Sequence, residues 1–201
     1  MTNEHTVAFT AMKDGTKEDY ELLQKLEQPY LALTASRIMD ELERQGKATL
    51  EGYKLTRLDH ALQSASRAER DGADIDWVVG ALLHDIGDGL APQNHDRFSA
   101  EVIKPFVREE VSWVVAHHGI FQMLYYAHHY GWDKNARDEY KDHPGFQACS
   151  DFCERWDQSS FDPHYNSESL SHFEPMVEAV FSRKAYDPDV LQAGIYNGIL
   201  P

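Results

Sequence analysis

Apolar positions along this chain recur at helical spacing. Tyr20, Leu22, Leu23 and Leu26 predict a first helix, opened by Thr16 and Asp19 at the spacing of a capping pair. Leu31, Leu33, Ile38, Met39 and Leu42 predict a second, with Pro29 near its start and a stop at Gly46. Between Asp59 and Arg70, Ala61, Ala65 and Ala68 are small enough for close packing. Trp77 to Leu83 is apolar throughout and reads as a buried helix, capped by Asp74 or Asp76 and stopped by Gly87 and Gly89. Further helices are expected at His95–Glu101, ended by Pro105, and at Glu109–His118, where Gly119 would kink or break the chain. Phe146–Trp156 and Phe173–Phe181 complete the set. Residues 1–15 read as a mobile arm, Leu50–Leu58 as a loop, and Trp132–His143 as a polar excursion or lid. β-branched alternation is absent, so the expected fold is all-α, in one domain over residues 1–201.

Composition narrows the function. A hydrophobic fraction of 42 % over 201 residues suffices for one packed core. The net charge of −15 repels phosphate backbones, so no nucleic-acid partner and no anionic membrane partner is expected. The start of the chain lacks a basic patch followed by an apolar run, and no stretch approaches the ~18–20 apolar residues of a membrane span. A soluble, cytoplasmic protein is the expectation. Cys149 and Cys153 on one helix face are poorly placed for a disulfide and read as core thiols.

The chemistry gathers around His84-Asp85, which ends the most apolar helix. Burying a charged pair there is costly unless something compensates it, and a metal ion is the usual solution. An imidazole nitrogen beside a carboxylate oxygen suits Zn, Fe or Mn. His60, His95, His117 or His118, and Asp157 fall on other predicted helices or helix ends. Four histidines and two carboxylates can hold two metals if one carboxylate bridges, and Asp85 is the natural bridge. Residues 50–160 thus form the expected metal-binding core. Gln63 lies near one helix face with His60 and Arg67, either joining helices or supporting a ligand or bound water. Phe121, Tyr125, Tyr126 and Tyr130 read either as core or as an aromatic lining for a cationic group. Tyr53 or Tyr30 could cover an open metal position. His128, His129, His143, His164 and His172 read as surface or capping residues.

This order of residues resembles the His…His-Asp…Asp superfamily, the HD domain, over about residues 50–160. Most such proteins look like phosphohydrolases. His60-Ala-Leu-Gln63-Ser-Ala, however, is similar to the His-x-x-Gln-x-Ala pattern of the HD-type oxygenases, which include myo-inositol oxygenase and the hydroxyphosphonate oxygenases. Asn94-His95-Asp96-Arg97 with Ser99-Ala100-Glu101, Ala116-His117-His118 and Trp156-Asp157 match the further motifs of those dinuclear sites. The resemblance implies six iron ligands: His60, His84, Asp85, His95, His118 and Asp157. It also implies a mixed-valent Fe(II)/Fe(III) pair, O2 as co-substrate and a small organophosphonate as partner. The implied reaction is oxidative cleavage of a carbon–phosphorus bond, foremost in (1-hydroxy-2-(trimethylamino)ethyl)phosphonate to glycine betaine and phosphate. The free-amine relative, giving glycine, is the alternative substrate, and a metal-dependent phosphohydrolase the alternative class. The sequence departs from the free-amine pattern at Asp88, where a histidine is expected, at Gln122, where a lysine is expected, and at Glu154, where an arginine is expected. Asp88 and Gln122 therefore stand as candidate substrate contacts, Asp88 for a substrate cation.

Overall fold

In the computed structural model, residues 6–47 and 51–200 are described, and among them there are nine α-helices and no strand. These are α1 Lys17–Ala32, α2 Thr34–Gln45, α3 Arg57–Arg70, α4 Ile75–Leu83, α5 His95–Ile103, α6 Glu109–Tyr126, α7 Phe146–Phe152, α8 Leu170–Phe181 and α9 Pro188–Leu191. Short 3-10 turns lie at Met12–Asp14, Ala127–Tyr130 and Ala136–Tyr140, and a π turn, Cys153–Asp157, continues α7.

The most apolar stretch of the sequence, α4, runs through the middle, with every residue from Asp76 to Leu83 buried. Each of its large side chains contributes about 1.5–3 kcal/mol by leaving water. Asp74 is the cap, accepting from the Asp76 and Trp77 amides at 3.0 and 3.3 Å. Asp76 instead lies buried, accepting from the Arg108 amide at 3.0 Å and from Arg183 Nη1 at 2.7 Å. That ties the start of α4 to the start of α6 and the end of α8. Asp76→Ala is expected to lower stability by about 2–3 kcal/mol in urea unfolding with an unchanged slope. That is less than for a fully buried pair, because both arginines keep some contact with water.

Close approaches set the geometry around α4. A Cβ on Gly80 would lie 2.7 Å from Val111 Cγ1, so a glycine lets α6 cross tightly. The expected glycine stop is corrected: α4 ends at Leu83, and neither Gly87 nor Gly89 adopts a positive φ. Gly87 is needed for space, since a Cβ there would meet the His95 carbonyl oxygen at 2.9 Å and Phe98 at 2.8 Å. Its amide donates to buried Ser99 Oγ at 3.0 Å, which holds the turn after α4 against the start of α5.

Capping boxes open both α1, at Thr16 and Asp19, and α3, at Thr56 and Asp59. The second starts α3 at Arg57, earlier than the sequence reading. The break between α1 and α2 falls at Leu33 rather than near Pro29. Pro29 sits exposed in the last turn of α1, where it costs one hydrogen bond and the helix runs on. α1 buries no side chain; Leu22 and Leu23 are half-buried, while Tyr20, Leu26, Tyr30 and Leu31 are exposed. Residues 6–15 lie along it, with Phe9 stacked on Tyr20 at 5.5 Å and the Tyr20 hydroxyl donating to the Met12 carbonyl. Residues 1–5 of the expected arm and Leu50 of the expected loop lie outside the described residues.

Gly119 does not break α6, which continues to Tyr126; a Cβ there would stand 3.1 Å from Asp96 Oδ2. The segment near the end of the chain closes the bundle. Buried Glu110 accepts from the Asn197 and Gly198 amides at 3.1 and 2.8 Å, and Ile199 enters the core.

Candidate metal centre

Five helices bring the predicted ligand-type residues together. His60 comes from α3, His84-Asp85 from the end of α4, His95 from the first position of α5, His118 from mid-α6 and Asp157 from the π turn. His60 Nε2 lies 3.1 Å from His84 Nε2 and 3.2 Å from Asp157 Oδ1. Asp85 Oδ2 is 3.7 Å from both of those histidine nitrogens. Its other oxygen, Oδ1, is 3.2 Å from His95 Nε2 and 3.3 Å from His118 Nε2. Two groups, His60 with His84 and Asp157, and His84 with Asp85 and His118, are compact enough to hold a metal ion.

The second nitrogen of each histidine fixes what the first can do. Nδ1 donates to a backbone carbonyl in all four: Ser160 for His60 at 2.9 Å, Ala81 for His84 at 2.8 Å, Pro92 for His95 at 3.1 Å and Val115 for His118 at 2.7 Å. A carbonyl only accepts, so in the neutral ring the lone pair sits on Nε2 and points inward. Two such lone pairs 3.1 Å apart repel unless a cation stands between them. Asp157 Oδ2 is buried without a hydrogen-bond partner, a second sign of an incomplete shell. The residues present therefore fit a metal of the kind that takes imidazole and carboxylate together.

Protons meet this demand when no metal does. Hydrogen bonding to Asp85 raises the His95 pKa to about 9 against the opposing effect of burial. Burial pulls His60 and His118 down, but Asp157 and Asp85 respectively outweigh it and raise both. Burial would raise the Asp85 and Asp157 carboxyls; the charge on His84 and hydrogen bonds from the surrounding histidines hold both below the usual range. The stability that His95 confers is full below the unfolded imidazole value and is lost as pH rises through about 9. The carboxylates' contribution is present above the unfolded carboxylate value and lost on acidification. The metal-free protein is thus expected to be most stable between roughly pH 4 and pH 6.5, checked by urea midpoints across pH. A metal that took His95 as a ligand would displace its proton, so metal affinity should rise with pH towards 9, with proton release at neutral pH readable by calorimetry in buffers of different ionisation enthalpy.

The α7 extension carries Asp157 in. Fully buried Trp156 donates from Nε1 to Asp71 Oδ2 at 2.9 Å, and Arg155 Nε reaches the same oxygen at 3.0 Å. Asp71 is the C-cap of α3, so the helix bearing His60 also anchors the π turn bearing Asp157. Single-turn π segments of this kind recur at functional sites. Gln63 joins helix to loop, its Oε1 accepting from the Asp162 amide at 3.2 Å. His117 turns away from the cluster: it stacks on Trp113 at 4.2 Å, and its Nε2 is 3.2 Å from Arg97.

Above the cluster opens a cleft of about 630 Å3. Its floor includes Asp85, His95, His118 and Asp157, and its walls include Tyr53, Phe161, Tyr125, Tyr126, Tyr130 and Trp132. Tyr53 is stacked on Phe161 at 6.0 Å; Tyr30 lies under Arg37 on the exposed α1 and does not line the cleft. Gln122 and Asp88 both line it. Asp88 has a partner that the sequence reading did not foresee: Arg57 Nε stands 2.8 Å from its Oδ2, and Arg57 Nη1 3.8 Å from Asp85 Oδ2. The capping box at Thr56 was the available signal, because it puts Arg57 one turn ahead of His60.

Comparison with known proteins places this geometry. Residues 57–145 match the family model of the HD domain. The fold is an all-α bundle with an HD domain. The match takes in His60, His84-Asp85, His95 and His118; Asp157 lies beyond its end. The chain is also similar to the [1-hydroxy-2-(trimethylamino)ethyl]phosphonate dioxygenase (glycine-betaine-forming) of Leisingera caerulea, 32 % identical over 87 residues. The aligned part covers 38 % of this chain and 44 % of that relative. Among the described residues no helix is long and apolar enough to cross a membrane.

Proposed function

We propose that this chain is a cytoplasmic, O2-dependent oxygenase that holds a mixed-valent Fe(II)/Fe(III) pair and cleaves the carbon–phosphorus bond of a 1-hydroxyphosphonate. The favoured substrate is (1-hydroxy-2-(trimethylamino)ethyl)phosphonate, giving glycine betaine and phosphate. The observation that carries this reading is the two-sided placement of Asp85, with Oδ2 turned to His60 and His84 and Oδ1 to His95 and His118. One carboxylate shared by two ligand groups is the arrangement a two-metal site requires. His60, His84, Asp85 and Asp157 would hold one ion, and Asp85, His95 and His118 the other. Bound iron supplies the one-electron chemistry that O2 activation needs.

The chain contributes orientation and enclosure. The carbonyl-anchored imidazoles fix ligand direction before any metal arrives. His84 is fully buried, whereas the His95 side chain is 27 % exposed, so the substrate's oxygens would approach from the His95 side. A trimethylammonium group has no N–H to donate and is held by charge and aromatic faces, which Tyr125, Tyr126, Tyr130 and Trp132 provide. The similarity to the Leisingera enzyme supports the same substrate, with 2-amino-1-hydroxyethylphosphonate, giving glycine, as the second candidate. In the test, iron-loaded protein receives each hydroxyphosphonate with and without O2. The expected outcome is phosphate release matched one-to-one by O2 consumption, and none under anaerobic conditions. Equal phosphate release without O2 would reassign the chain to metal-dependent hydrolysis.

A further inference from the structure

We infer that Arg57 is the residue that selects the substrate's phosphonate, with Asp88 as the carboxylate that keeps its guanidinium aimed into the cleft. The inference rests on the proposed function for the identity of the anion, but its geometry stands alone. Among the described residues that line the cleft, Arg57 carries the one fixed positive charge. Asp85, Asp88 and Asp157 are the acids there, and Asp85 and Asp157 face the histidines. Asp88 is the acid nearest Arg57, with Asp85 farther off.

The guanidinium's donors are only partly used. Nε lies 2.8 Å from Asp88 Oδ2, yet the angle is too poor for a hydrogen bond, and the atom is buried without a partner. Nη1 is 3.8 Å from Asp85 Oδ2, beyond hydrogen-bond reach. Charge therefore holds the group in place, and directed bonds remain to be made. A planar guanidinium with free donors matches two oxygens of a tetrahedral phosphonate, which a lysine ammonium cannot do in the same bidentate way. Its seat is rigid: Arg57 is the first residue of α3, fixed by the Thr56–Asp59 capping box one turn before His60. Its Cζ lies 5.5 Å from the Tyr53 ring centroid, which steadies the plane. An anion at Arg57 would thus share one cleft with the proposed metal ligands and the aromatic side chains, which suits a molecule that carries both a phosphonate and a cation.

This arrangement also gives Asp88 a different part from the substrate-cation contact expected from sequence. Its charge is already matched by Arg57, so the aromatic wall takes the cation.

The test measures binding of methylphosphonate, which carries no hydroxyl or amine, to iron-loaded wild type, Arg57→Gln, Arg57→Lys and Asp88→Asn by calorimetry, with iron content determined for each. The expected result is a roughly ten- to hundredfold loss in Arg57→Gln at unchanged iron content, with partial recovery in Arg57→Lys. Asp88→Asn should bind methylphosphonate several-fold more weakly than wild type at unchanged iron content, because the guanidinium loses the carboxylate that aims it. Unchanged binding in Arg57→Gln would overturn the assignment. So would loss of iron in both arginine variants, which would make Arg57 a support for Asp85 only. Methylphosphonate binding in Asp88→Asn as tight as in wild type or tighter, at normal iron content, would overturn the part given to Asp88. The reading of the whole protein as an oxygenase fails separately, by absent O2 consumption in wild type, whatever methylphosphonate does.

Discussion

Asp85→Ala is expected to empty the metal centre and abolish turnover. In the proposed assignment both ions would draw on this carboxylate, Oδ2 facing His60 and His84 and Oδ1 facing His95 and His118, so removing it would take a donor from each at once. Loss of a residue that only supports a ligand already costs about 10–100-fold in metal affinity or activity. Loss of a shared ligand should exceed that, leaving turnover at least about a hundredfold down and iron well under the wild-type content by metal analysis. The metal-free variant offers a second reading. His95 owes its pKa of about 9 first to the hydrogen bond with Asp85, so its proton resonances should titrate at lower pH in Asp85→Ala. His128→Ala, on an exposed 3-10 turn, should keep full iron content. Wild-type iron content in Asp85→Ala would reject the shared-ligand assignment.

Trp156 should prove as costly to lose, by another route. Its indole is fully buried, edge-on to Trp77 at 6.2 Å and to Phe152 at 5.7 Å. Trp156→Ala is expected to destabilise the fold by about 3–5 kcal/mol through cavity formation. Trp156→Phe isolates the functional part. It keeps an aromatic ring but drops the hydrogen bond to Asp71, at a cost of about 1–2 kcal/mol including Asp71's altered solvation. The π turn bearing Asp157 then keeps only the Arg155 tie to Asp71, so iron affinity should fall by more than the modest stability change suggests. Urea unfolding and iron competition titrations separate the two effects. A phenylalanine variant with wild-type iron affinity would show that the π turn holds Asp157 without Trp156.

Much of the cluster was legible because its residues interrupt strong patterns. A histidine and aspartate closing the most apolar helix are conspicuous, as are histidines at the first turn of α5 and inside the valine-rich α6. The choice between His117 and His118 depends on helix rotation: one residue turns about 100°, and His118 comes round to Asp85 while His117 meets Trp113. The boundary misreadings have local causes. Pro29 was placed near the start of the second helix and Gly119 was expected to kink or break its own, yet one lost hydrogen bond, or about 1 kcal/mol of glycine propensity, is too little to end a helix held by its neighbours. Gly87 was taken as a conformational stop and proved to be a clearance. The partnerships Arg57–Asp88 and Trp156–Asp71 were not legible. The first joins residues from two elements and the second residues far apart in the chain, and no periodicity encodes such meetings.

The bare flank of α1 has a consequence for how the molecule breathes. Hydrogen bonds open either with their own helix or only when the whole core comes apart. α1 shares no fully buried side chain with the rest, so its amides belong to the first class and should exchange with solvent through brief, local openings. α4 belongs to the second class, and its amides mark global unfolding. His84 and Asp85 hang from the end of that buried helix, so the proposed metal ligands should ride on the slowest-exchanging part of the chain while its amino-terminal helix opens and closes.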